Sequence, residues 1–86
     1  MGLFNKKTPN QTEGEKILKQ IVGTKKKKNT TMYKKISQEL GYRKTHKLLD
    51  NVIKEIKDEL EQNMITPDEV EDRIYTLIEY ELGHPL

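Results

Sequence analysis

The stretch Met64-Ile65-Thr66-Pro67-Asp68-Glu69-Val70 decides the fold, because it carries every device that stops one helix and starts another. Thr66 stands at an N-cap position with Glu69 three residues on, so each side chain can satisfy a backbone amide of the other residue. Pro67 falls at the first helical position, where its missing N–H costs nothing. Ile65 before the cap and Val70 four residues after it form a hydrophobic staple. The stretch therefore predicts a helical hairpin. Upstream, Leu48, Leu49, Val52, Ile53, Ile56 and Leu60 recur at helical spacing and predict the longest helix, over about 45–62. Downstream, Val70, Ile74, Leu77, Ile78 and Leu82 continue the apolar stripe over 67–82, until Gly83 and His84-Pro85 end it.

Outward from the hairpin, Thr12 and Glu15 match a capping box, and Ile17, Leu18, Ile21 and Val22 predict a short helix over 12–22 ended by Gly23. Thr30 or Thr31 caps a further helix over 31–40, with Met32, Tyr33, Ile36 and Leu40 as its stripe and Gly41 as its stop. Between these two lies Lys25-Lys26-Lys27-Lys28, a run of like charges expected to stay solvated, and Tyr42 to Lys47 is expected as a second basic turn with Thr45 as N-cap. The expected fold is all-α: a small bundle of about four helices, near 12–22, 31–40, 45–62 and 67–82, built on an antiparallel hairpin of the last two. Residues 12–86 form the single domain. Residues 1–11, polar and without a period, read as a flexible basic arm, with Leu3 and Phe4 as a possible weak docking point.

At 86 residues the chain is expected to bury only about 60% of the surface its unfolded form exposes, so its stability must come from close helix packing or from a partner. No Cys is present, which fits a reducing cytoplasm, and no apolar run approaches the roughly 18 residues of a membrane span. A soluble cytoplasmic protein without export is expected. The net charge of +2 conceals a strong asymmetry: residues 1–48 carry 13 Lys/Arg against 3 Asp/Glu, and residues 49–86 carry 3 against 11. Such a chain can fold its basic half onto its acidic half, pair head to tail with a copy of itself, or present the basic half to a polyanion.

The inventory of reactive groups argues against catalysis. Ser37 is the single serine, and a Ser37–His46–Asp50 triad has nothing in the sequence to assemble it. Two His without Cys make a zinc site improbable, and no cofactor motif or glycine-rich phosphate loop is present. Asp68, Glu69, Glu71 and Asp72 crowd one helix start, where each stabilises the helix dipole by roughly 0.3–1 kcal/mol without any bound cation.

The basic half offers a nucleic-acid reading. Lys25, Lys26, Lys27, Lys28, Lys34, Lys35, Arg43, Lys44 and Lys47 flank the second helix on both sides, with Tyr33 and Tyr42 available for stacking. The segment Tyr33 to Tyr42 resembles the first helix and turn glycine of helix-turn-helix motifs, with Ser37 as the small residue four before Gly41. The second half departs from that pattern, since Lys47 and Asp50 occupy its buried positions. If it held, the resemblance would imply that Arg43, Lys44, Thr45, His46 and Lys47 face the major groove.

Residues 60–78, from Leu60-Glu61-Gln62-Asn63-Met64 through Thr66-Pro67-Asp68-Glu69 to Leu77-Ile78, resemble the short C-terminal (SHOCT) domain of bacterial proteins. That family is a short helical hairpin thought to mediate protein association, although Asn63-Met64 replaces its usual glycine and apolar residue. In general plan the chain is also similar to the helical immunity proteins that protect lactic bacteria from their own bacteriocins.

The functional expectation is a non-enzymatic helical interaction module of bacterial or phage type, with a protein partner or a second copy of itself. Tyr75, Ile78, Tyr80 and Leu82 are the expected interface anchors. Nucleic-acid binding by the lysine-rich residues 25–47 is the alternative, and an immunity-type role a second one.

Overall fold

The structure, a computed structural model, describes residues 7–86, and all its regular elements are helical. They are α1 (Pro9–Ile21), α2 (Thr31–Leu40), α3 (Tyr42–Glu61) and α4 (Val70–Leu82), with a 3-10 turn, Pro67–Glu69, leading into α4. The expected antiparallel hairpin is formed by α3 and α4. α1 lies against both of them and against the 3-10 turn, while α2 packs on α3.

The turn between α3 and α4 follows from its residues. Asn63 takes the left-handed conformation at φ 57°, while Met64 N–H donates to Glu59 O at 2.8 Å and Asn63 N–H to Leu60 O at 3.2 Å. This pair of bonds satisfies the last carbonyls of α3, and Asn is the residue other than glycine that best tolerates the position. After it, the Glu69 carboxylate accepts from the Thr66 amide at 2.8 Å, and Val70 is fully buried. The first turn of the expected 67–82 helix is thus tighter than α-helical. Across the hairpin, Arg73 forks onto Glu59, Nε to Oε1 at 2.9 Å and Nη2 to Oε2 at 2.8 Å.

Two expectations at helix starts are corrected. α1 begins at Pro9, three residues early, and its cap is Thr8: the Gln11 amide donates to Thr8 Oγ1 at 3.2 Å and the Thr8 amide to Gln11 Oε1 at 2.9 Å. Thr8-Pro9-Asn10-Gln11 is the same device as Thr66-Pro67-Asp68-Glu69. The expected Thr12–Glu15 box is not made, because Glu15 turns inward, is buried, and pairs with Lys7. Of the expected arm over 1–11, residues 1–6, with Leu3 and Phe4, lie outside the described residues, whereas Pro9 to Gln11 are the first turn of α1.

That turn docks on the hairpin. Asn10 Nδ2 donates to both Leu60 O and Ile65 O, at 3.0 Å each, tying the end of α3 to the residue before the Thr66 cap. One turn on, Gly14 sits so close to α3 that a Cβ there would lie 2.4 Å from Leu60 Cδ2. The absence of a side chain at 14 is what lets the two helices approach.

The second correction concerns α3, which begins at Tyr42 instead of 45. Gly41, at φ 84°, is all that separates it from α2, a backbone conformation that L side chains rarely adopt. Thr45, the expected N-cap, is fully buried one turn inside the helix, its hydroxyl donating to Gly41 O at 2.6 Å. The core gathers Leu18 and Val22 of the α1 end, Met32, Tyr33 and Ile36 of α2, the predicted stripe of α3, and Val70, Ile74 and Ile78.

Candidate polyanion-binding surface

Four tight structural features sort the nine expected basic residues into different places. The first is the loop from Gly23 to Thr30. Thr24 and Lys27 exchange backbone hydrogen bonds, 2.8 and 3.2 Å, which puts Lys25 and Lys26 at the tip of a two-residue turn. Gly23 makes the turn possible: φ is 94°, and a Cβ would stand 2.4 Å from Lys27 O.

The second is Lys28, which corrects the expectation of a wholly solvated lysine run. Its side chain is 1% exposed, its ammonium donates to Lys25 O at 3.0 Å, and it stands 2.6 Å from Asp50 Oδ1 on α3. The approach to Asp50 is an ion pair without hydrogen-bond alignment. Lys28 is therefore an anchor for the loop and is withdrawn from the expected nucleic-acid set.

The third is the line along α3. Arg43, Lys47, Asp50, Lys54 and Lys57 recur at steps of four, three, four and three, so they share one face, about 21 Å long at 1.5 Å per residue. Arg43, Lys44, Lys47 and Lys54 are exposed. Asp50 is the single carboxylate between Tyr42 and Lys54, and Lys28 neutralises it.

The fourth is the junction of α2 and α3. The Tyr33 hydroxyl lies 3.0 Å from His46 Nε2, and Tyr33, Tyr42 and His46 stack edge-to-face or tilted with centroids 5.1–5.9 Å apart. Burial, helped by the neighbouring Tyr42 hydroxyl, holds the Tyr33 phenol neutral, its pKa pushed up to about 12. Tyr33 is thus a core residue; Tyr42, 72% exposed, is the aromatic ring left at the surface. The one-residue link at Gly41 is shorter than the three-to-four-residue turn of a helix-turn-helix.

Lys27 and Lys34 are exposed, and Lys35 lines a separate hollow of about 360 Å³ with Met32, Tyr75 and Leu86. The C-terminal residues fold back toward that hollow: His84 pairs with Glu39 of α2, and the Leu86 amide donates to Glu79 at 3.0 Å.

Ile78 is withdrawn from the expected interface, because it is fully buried in the core. Leu82 is half-buried against the core, and Tyr75 is 37% exposed beside Leu86. Tyr80 alone stands clear, 85% exposed, over a groove of about 510 Å³ that includes Leu48, Val52 and Leu77.

The groups of the Ser37–His46–Asp50 arrangement each have another partner: Ser37 donates to Lys34 O, His46 meets Tyr33, and Asp50 meets Lys28. Among the described residues no group of three or more His, Asp or Glu could hold a metal ion, and no helix is long and apolar enough to cross a membrane. Sequence reading missed Lys54 and Lys57 as members of the basic surface; the four–three spacing of 43, 47, 54 and 57 was the signal that could have found them. No family model, curated protein or solved structure matches the chain.

Proposed function

We propose that this chain is a non-enzymatic helical module, acting in the cytoplasm, that binds the sugar-phosphate backbone of a nucleic acid through the exposed face of α3. One observation carries the reading. Residues 24–54 hold ten basic residues and two carboxylates, and both carboxylates are spent internally, Asp50 on Lys28 and Glu39 on His84. What faces solvent along the first half of α3 is Arg43, Lys44 and Lys47, with Asp50, the one acid there, half-exposed and paired to Lys28. The start of α3 adds to this. Gly41 supplies no side-chain cap, no acid lies in the first turn, and Arg43 and Lys44 oppose the helix dipole there by about 0.3–1 kcal/mol each. A phosphate beside them reverses that sign. Contacts of this type set register and affinity and carry no sequence preference of their own.

Fluorescence anisotropy on a mixed DNA and RNA pool at two salt concentrations tests the proposal. Three to four phosphate contacts give a slope of log K against log salt of about −3, and R43Q/K47Q/K54Q reduces it by about one per charge removed. No binding at low salt refutes it.

A second reading, protein association, is supported by Tyr80 over the Leu48–Val52–Leu77 groove, and the likeness of residues 60–78 to the short C-terminal hairpin family belongs with it. Sedimentation of the wild type against Y80A distinguishes it: association lost in Y80A supports this reading, and a monomer at high concentration ends it.

A further inference from the structure

A hollow of about 230 Å³ lies where the end of α1, the loop and the middle of α3 meet. Four of its lining residues are charged and all four are lysines: Lys19 of α1, Lys25 and Lys26 of the loop tip, and Lys57 of α3. Leu18 and Ile53 form its floor. We infer that this hollow, which takes in Lys57 at the far end of the α3 row, is a binding site for a compact, multiply charged phosphate group, a pyrophosphate or triphosphate, separate from the exposed stretch Arg43–Lys54.

Charge and construction point the same way. Among the described residues none of the four lysines makes an ion pair, and no carboxylate lines the hollow. Like charges gathered without a counter-charge destabilise the folded chain, and left alone a lysine run spreads into solvent. Here the backbone that carries the run is fixed, although the Lys25 and Lys26 side chains are exposed. The Thr24–Lys27 bonds close the turn, Gly23 admits it, and buried Lys28 pins it to Asp50. Backbone and core are thus used to hold Lys25 and Lys26 beside Lys19 and Lys57, against their repulsion. Such conflict between local and global preference marks functional positions.

The ligand class follows from size and surroundings. At about 230 Å³ the hollow is below the roughly 300–1,000 Å³ of sites that enclose a drug-sized molecule, so it takes a group and leaves the rest of the ligand outside. Four point charges with rotatable donors and no planar arginine fork suit several phosphate oxygens better than one carboxylate. The low-dielectric floor strengthens each attraction. The phosphates can belong to a free nucleotide or to a nucleic-acid chain.

Isothermal titration with inorganic tripolyphosphate at low salt, on the full chain, tests the site. K25Q/K26Q/K57Q is expected to weaken binding about tenfold or more, K26Q alone about threefold, and R43Q/K47Q to leave it within about twofold. Circular dichroism confirms that each variant is folded, and K26Q, altered only at the exposed turn tip, carries the test if the triple variant is not. No heat with tripolyphosphate, or equal loss in the hollow and α3 variants, overturns the site. A nucleoside triphosphate and a phosphodiester 12-mer run in parallel identify the source. Tripolyphosphate binding without 12-mer binding upholds the hollow and refutes the α3 reading; the reverse result upholds α3 and refutes the hollow.

Discussion

Lys28 reaches from the loop between α1 and α2 to within 2.6 Å of Asp50 on α3, with its own side chain 1% exposed and that of Asp50 45% exposed. The pair does two things at once. It fixes the loop on the long helix, and it removes the one negative charge from the first half of that helix. Breaking it leaves a buried ammonium with only the Lys25 carbonyl. Because Asp50 is partly solvated, Asp50→Asn is expected to cost about 1–2 kcal/mol, below the 3–5 kcal/mol of a fully buried pair. Urea denaturation measures this, and an unchanged midpoint would show that the pair does not anchor the loop.

Gly14→Ala is expected to destabilise the fold by about 1–3 kcal/mol, although alanine favours a helix by about 1 kcal/mol over glycine. The added Cβ would meet Leu60 Cδ2 and Cδ1 at 2.4 and 2.5 Å, so the fully buried Leu60 side chain must shift within the core. A raised melting temperature would contradict the close approach of α1 and α3.

Asn10→Ala removes both hydrogen bonds to the hairpin turn, to Leu60 O and Ile65 O. A loss of about 1–2 kcal/mol is expected, with faster amide exchange at Met64 and Glu69. Exchange accelerated uniformly, with no excess at the turn, would contradict a local role.

These contacts mark where sequence and structure part. The hairpin was legible because its stop and start signals are local: a cap, a proline and a staple within seven residues. α1 was placed three residues late because the stretch before Thr12 is polar and without a period, so the Thr8–Pro9 cap does not stand out from it. The basic surface was legible as composition and not as geometry. Nothing local to Lys25-Lys26-Lys27-Lys28 says that the fourth lysine is buried, since its partner is 22 residues away. Ile78 was misplaced for a related reason: periodicity identifies the apolar face of α4 but not which of its members the other helices cover.

The C-terminal contact is sensitive to pH. The His84 pKa is raised above its usual 6.5, chiefly by its hydrogen bond to Glu39, with the Pro85 carbonyl adding to it. A raised folded-state value means that the contact's stabilisation is complete below pH about 6.5 and is lost as pH rises through the folded value. The Leu86 amide is expected to lose protection over that upper range, and H84N to flatten the dependence. A His84 titration at or below the usual value would contradict the pairing.

The central claim is that nucleic acid is met by the exposed face of α3. Amide and side-chain NMR shifts, followed while an unlabelled single strand is added to the labelled chain at low salt, test it most directly. The account predicts shifts concentrated at Arg43, Lys44 and Lys47, and abolished by added salt. Shifts confined to Tyr80 and the Leu77 groove, or none at all, would contradict it.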